Sequence, residues 1–203
     1  TDDEAVGDKY DGQMVLQDVK ISMYTVDTHE FIAQFDAPAA SMNLGYLDCP
    51  VFCMFMFDYR NHVEEQLDGD TLTVKYQFTE EQLEKMPSFG DSVLIIKNGD
   101  EFVSRVKKGL LDAGYGFTRD HVQYYGFNNI EHLKQVQKDN SRIAFWKRDK
   151  YTYQQEYRFL VHDFVDDFLS VNIGDISDIT DLLKTEELLN TYVEITFKVK
   201  PME

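Results

Sequence analysis

The 203-residue chain is poor in basic residues: 20 Lys and Arg stand against 37 Asp and Glu, for a formal net charge of −17. A field of that sign repels a phosphate backbone, which excludes general nucleic-acid binding. Proline (4) and glycine (11) are also scarce, so long disordered or low-complexity segments are not expected. The chain lacks a long apolar run. Its longest, Val51–Phe57 (VFCMFMF), is far too short to span a bilayer. No basic start followed by an apolar stretch marks a secretion signal. The first residue is Thr rather than Met, so the reading allows for a missing segment upstream of Thr1.

Only two cysteines are present, Cys49 and Cys53. Along a regular strand they lie too far apart to bond, and no His or Cys partners complete a zinc pattern. They are expected to be two buried thiols in a reducing cytoplasm. The five histidines, at 29, 62, 121, 132 and 162, are dispersed and are read as surface or satisfied structural residues. Phosphate-binding P-loop, nucleophile-elbow, zinc-protease and EF-hand patterns are all absent. His62-Val63-Glu64 has the H-x-E of a zinc deaminase without the P-C-x-x-C that must follow it.

What is present is a folded-protein composition, 43% hydrophobic and 14% aromatic, long enough for a substantial core. β-Branched and alternating patterns predict strands over 14–26, 49–59, 70–78, 92–97, 121–127, 151–162, 168–173 and 192–199. The run from Cys49 and the one from Ser92 read as buried strands. Thr28–Gln34 reads as a short helical turn.

Thr79-Glu80-Glu81-Gln82 is a capping box that opens a helix ending near Met86-Pro87. Asp100 is expected to cap a helix to about Asp112, with Phe102, Val103, Val106 and Leu110 as its apolar stripe and Gly114 as its stop. Asn129 caps another through Val136, and a short helix is expected over 181–189. These elements predict a single α+β domain covering 1–203, with a mostly antiparallel, split sheet and peripheral helices. No glycine-rich first turn of a dinucleotide-binding fold appears.

Three segments carry candidate chemistry. In GDISDITD (174–181), Asp175 and Asp178 are oxygen ligands of the kind a divalent cation takes. The same residues also make turns and helix caps, and capping is the reading taken, so no metal centre is predicted. GDKYDG (7–12) is a turn-rich polar loop.

The third is KYTYQQEYRFLV (150–161). Alternation along a strand sets Tyr151, Tyr153, Gln155, Tyr157, Phe159 and Val161 on one face, and Thr152, Gln154, Glu156, Arg158 and Leu160 on the other. The polar face either meets water, with Glu156 and Arg158 neutralising neighbours, or lines a cleft. In a cleft, Glu156 would hold a ribose hydroxyl and stabilise oxocarbenium character as a glycosidic bond breaks. Gln154 would orient the acceptor, and Arg158 would bind a phosphate through both of its forked donors.

GDKYDG, CPVFCMF, YTYQQEYRFLV and VNIGDISDIT together resemble a family of uncharacterised bacterial and phage proteins sharing a G-D-x-x-[ED]-G loop, a Q-x-E-[YF]-R strand and an I-G-D-[IL]-S-D-I segment. Gln154-Gln155-Glu156 also resembles the [Q/E]-x-E motif of the ADP-ribosyltransferase superfamily. That resemblance implies Glu156 and Gln154 as catalytic residues, Arg158 as substrate-binding, and NAD as substrate rather than resident cofactor. The superfamily's Arg or His on an early strand, and its Ser, Thr or Tyr on a middle one, are not placed in this chain.

The leading expectation is therefore an ADP-ribosyltransferase-like domain of bacterial or prophage origin, acting in phage–host conflict. The alternatives are a non-enzymatic acidic protein that inhibits a basic protein partner or mimics a polyanion, and a catalytically dead relative that senses a nucleotide.

Overall fold

A computed structural model describes residues 8, 10–46, 48–58 and 64–200. The chain forms two compact units: Thr1–Cys49 with Asp120–Thr152, and Pro50–Arg119 with Tyr153–Glu203. Elements are numbered in chain order. The α+β class with mostly antiparallel pairing is what the structure shows.

In the first unit, β1 (Gln13–Tyr24) and β2 (Phe31–Asn43) form a two-stranded antiparallel ribbon. The helical turn expected at Thr28–Gln34 is replaced by the start of β2. β2 as a whole has four alanines and Ile32 as its one β-branched residue, so its strand state comes from pairing with β1 rather than from propensity. Asp18 adopts a left-handed backbone (φ 52°) between Gln17 and Val19, and the register shifts between Met23 and Tyr24.

Later in this unit, β8 (Gln123–Tyr125) pairs in parallel with β9 (Trp146–Arg148). Between them runs α3 (Ile130–Lys138), whose Asn129 cap accepts from the backbone N–H groups of Glu131 and His132. Tyr125, Val136, Ile143 and Trp146 form the core, and Met14, Leu44 and Tyr46 pack on it.

The second unit holds β3 (Val51–Phe55), β4 (Glu64–Asp68), β5 (Thr71–Tyr76), α1 (Glu80–Lys85), β6 (Ser92–Ile96), α2 (Gly99–Asp112) and all but the last two residues of β7 (Phe117–His121). After the chain returns come β10 (Glu156–Val161), β11 (Thr180–Lys184), α4 (Thr185–Leu189) and β12 (Val193–Lys198). The sheets run β3-β10-β7, β11-β6 and β12-β5-β4. The β4–β5 hairpin turns on two residues, with Gly69 at φ 59°, a conformation open to glycine at no steric cost.

Several expectations are corrected. β3 and β6 are not buried on both faces: β3 is a sheet edge and is exposed over Val51–Cys53, so Cys49 is buried but Cys53 is not. Asn98, not Asp100, caps α2. The 168–173 stretch forms no regular element, and 180–184 is strand rather than helix. Gly114 does stop α2, at φ 84°.

The core of this unit packs Phe102, Val106 and Leu110 of α2 against Tyr157, Phe159 and Val161 of β10 and against Ile179. A second cluster gathers Tyr76, Phe78, Leu188 and Leu189. No described helix is long and apolar enough to cross a membrane.

Candidate functional site

The strand expected over 151–162 begins only at Glu156. Residues Asp149–Gln154 form a 3-10 turn, and Gln155 joins turn to strand with φ 40°, a left-handed conformation unfavourable for a residue with a side chain. The period-two faces therefore hold for Glu156–Val161 but not for Tyr151–Gln155.

Every residue of β10 is buried. This corrects the water-facing alternative: the polar side of the strand is interior. Tyr157, Phe159 and Val161 point into the aromatic and aliphatic core. On the other face, Arg158 is 2% exposed and Glu156 8%. The Arg158 Nε donates to Glu156 Oε2 at 2.7 Å. Two residues apart on a strand, the side chains share a face, and a buried charge on either one is costly without the other. Gln154, also buried, donates from Nε2 to the Tyr153 hydroxyl at 3.1 Å.

The turn before Glu156 is held by a polar network that starts at the capping box. Thr79 Oγ1 accepts from the Gln82 backbone N–H, and Gln82 Oε1 accepts from the Thr79 N–H at 3.0 Å. Gln82 is fully buried, and its Nε2 donates to the Tyr153 carbonyl at 3.0 Å and to the Tyr76 hydroxyl at 3.3 Å. Tyr76 in turn donates to Gln155 Oε1 at 3.1 Å, and the Met56 N–H donates to the Gln155 carbonyl at 3.0 Å. Burial raises the Tyr76 phenol pKa, partly offset by its hydrogen bonds with Gln82 and Gln155. One helix cap, one tyrosine and two backbone groups thus clamp the strained residue beside Glu156.

A cleft of about 450 Å³ opens in the same unit, lined by Phe52, Phe102, Val106, Phe159, Val161 and Phe168 among others. It meets β10 on the odd-numbered face, away from Glu156 and Arg158. Asp167 is its one charged wall residue among those described, so it offers no cation for a phosphate.

A pair that sequence reasoning missed lies in the first unit. Asp8, in the GDKYDG loop, accepts from Arg148 Nη2 at 2.6 Å and from Nε at 2.8 Å, and also from the Tyr10 N–H at 3.1 Å. Burial pushes its carboxyl up, but the Arg148 and Tyr10 bonds outweigh this and hold it below the ordinary value. The Arg148 guanidinium also stacks over the rings of Tyr10 and Tyr151. The two residues are 140 positions apart, and no local pattern links them.

Nearby, His132 packs against Trp146 with ring centroids 4.5 Å apart. Contrary to expectation it is not fully satisfied: its Nδ1 and the Trp146 Nε1 are buried with no hydrogen-bond partner among the described residues. Burial lowers the His132 pKa. His62 lies outside the described residues.

Asp178 does not cap a helix. It takes a two-pronged ion pair from Arg105 at 2.8 and 2.7 Å, while Asp175 accepts from the Ser177 N–H within the turn. Among the described residues no group of three or more His, Cys, Asp or Glu is placed to hold a metal ion. Compared with protein-family models, with curated proteins and with solved structures, the chain matches none.

Proposed function

We propose that the chain is a non-enzymatic interaction protein whose acidic surface engages a basic protein partner. The observation that carries this reading is the Glu156–Arg158 pair. The carboxylate needed at a ribose and the cation needed at a phosphate neutralise each other in the interior. Of the described acidic side chains, only Asp8 and Glu156 are buried, so the other described carboxylates are open to a basic partner. The test is identification of a partner, reconstitution of the pair from purified proteins, and measurement of Kd against salt. Steep weakening with salt supports the reading. Turnover of NAD by the full chain overturns it.

A second reading is favoured by one observation. Strain at Gln155 directly before Glu156, clamped by Tyr76 and Gln82, is the kind of backbone feature that clusters at functional sites. It supports an ADP-ribosyltransferase-like domain acting in phage–host conflict, with Glu156 at the ribose, Gln154 at the acceptor and Arg158 at a phosphate. Calorimetry with NAD decides it: heat of binding in the wild type, abolished in Glu156→Gln, is the expected outcome under this reading. Stabilisation by NAD without turnover points to the nucleotide-sensing relative instead.

A further inference from the structure

We propose that the apolar cleft of the second unit binds an organic ammonium: an aryl-alkyl body fills it and the amine pairs with Asp167. Three elements build the cleft. Phe159 and Val161 of β10, with Phe52 of β3, supply one wall, and Phe102, Val106 and Leu110 of α2 the next. The 167–173 segment, which forms no helix or strand, closes the third side. Gly109 lets that side come close. A Cβ there would lie 3.0 Å from Val171 Cγ1 and 3.2 Å from Ile173 Cγ2, so the segment rests on bare helix backbone.

At about 450 Å³ the cleft falls in the range of roughly 300–1,000 Å³ that small-molecule sites occupy. The β10 and α2 side chains that line it belong to the buried core, so packing holds those walls in place. The mouth differs. Phe52 is 51% exposed and Phe168 76%, two large rings left in water beside a concave apolar surface. The Phe52 ring lies tilted, 6.4 Å from Phe102 and 6.3 Å from Phe159, a spacing at which aromatic rings attract. An aryl group entering the mouth would shield both exposed rings from water.

Charge sets the head group. Asp167 is the one charged residue of the wall and is exposed, as are Asp163 and Asp166 just before it. No lysine, arginine or histidine lines the cleft among the described residues. A carboxylate head would bring its charge against Asp167 in a chain of net −17, whereas an ammonium forms an ion pair there. The cleft meets the face of β10 opposite Glu156 and Arg158, so this site is independent of either reading of the function.

The test is calorimetry of the full chain with three probes of one shape: phenylbutylamine, phenylbutanol and phenylbutyrate. The amine is expected to bind roughly tenfold or more tighter than the carboxylate, with the alcohol between them. Asp167→Asn should raise the amine Kd by about twofold to fivefold, the worth of an exposed ion pair, and leave the alcohol unchanged. Phe168→Ala should weaken the amine and the alcohol alike, by about threefold or more. Both residues are exposed, and unchanged thermal unfolding of the variants separates loss of the site from loss of the fold. Ile130→Ala, exposed in the first unit, should change neither affinity. No binding of the amine at millimolar concentration, a carboxylate that binds as tightly, or an amine Kd untouched by either Asp167→Asn or Phe168→Ala overturns the proposal. An amine Kd that rises with protein concentration would mean that a second copy fills the cleft, and overturns it too.

Discussion

Arg158 donates to Glu156 across 2.7 Å in the interior of the second unit, so each residue's charge depends on its neighbour two positions along the same strand. Such a pair adds little net stability over an apolar one of equal volume, yet is costly to break because one charge is then left buried.

Removing one partner should therefore unfold the protein more readily than removing both. Glu156→Gln is expected to cost about 3–5 kcal/mol in denaturant unfolding, and Glu156→Gln with Arg158→Met to recover most of that. A single variant losing less than about 1 kcal/mol would show that the charge reaches solvent.

Gln82 is expected to behave as a core residue despite lying in the first turn of a six-residue helix. Gln82→Ala removes the reciprocal cap and the bonds to Tyr76 and Tyr153, for a loss of about 2 kcal/mol or more. Glu81→Ala, one position earlier and exposed, should stay within about 0.5 kcal/mol. Equal effects at the two positions would contradict the network.

Gly109→Ala tests the close approach of the 171–173 segment to α2. Alanine is the better helix former by about 1 kcal/mol. Its Cβ, however, would lie 2.7 Å from the Asn172 carbonyl oxygen, a backbone atom that cannot swing aside. Net destabilisation of about 1–3 kcal/mol is expected from thermal unfolding. A rise in Tm would mean that the segment yields.

Stability should fall in acid over two windows. The His132 pKa is lowered from 6.5 in the fold, so below that value the unfolded chain takes up the proton first. Its contribution is complete above 6.5 and declines as the pH drops toward the folded value. The Asp8 pKa is lowered from 3.8, so its contribution is complete above that value and is lost as the pH falls through the folded value. Urea unfolding of wild type, His132→Phe and Asp8→Asn against pH checks this. Each variant should flatten its own window and leave the other unchanged.

Much of the local structure was legible in the sequence. The Thr79–Gln82 capping box, the Asn129 cap, and the stripe of α2 with its Gly114 stop depend on interactions within a few residues. Periodicity and side-chain chemistry encode those directly. Elements that depend on a distant partner were not legible. β2 is alanine-rich and carries a proline, and it is a strand because β1 offers it a ladder. Asp8 and Arg148 meet from opposite ends of the first unit's sequence.

The candidate site shows the same division. Sequence alone determined that Gln154, Glu156 and Arg158 belong to one short segment, that Glu156 and Arg158 share a strand face, and that the chain is strongly acidic. Tertiary structure decided the rest: where the strand begins, that its polar face is interior, and that the carboxylate is matched by a guanidinium. Alternation fixes which side chains lie together, but not whether water or protein covers them. That depends on the segments packed above, which the chain brings together only on folding.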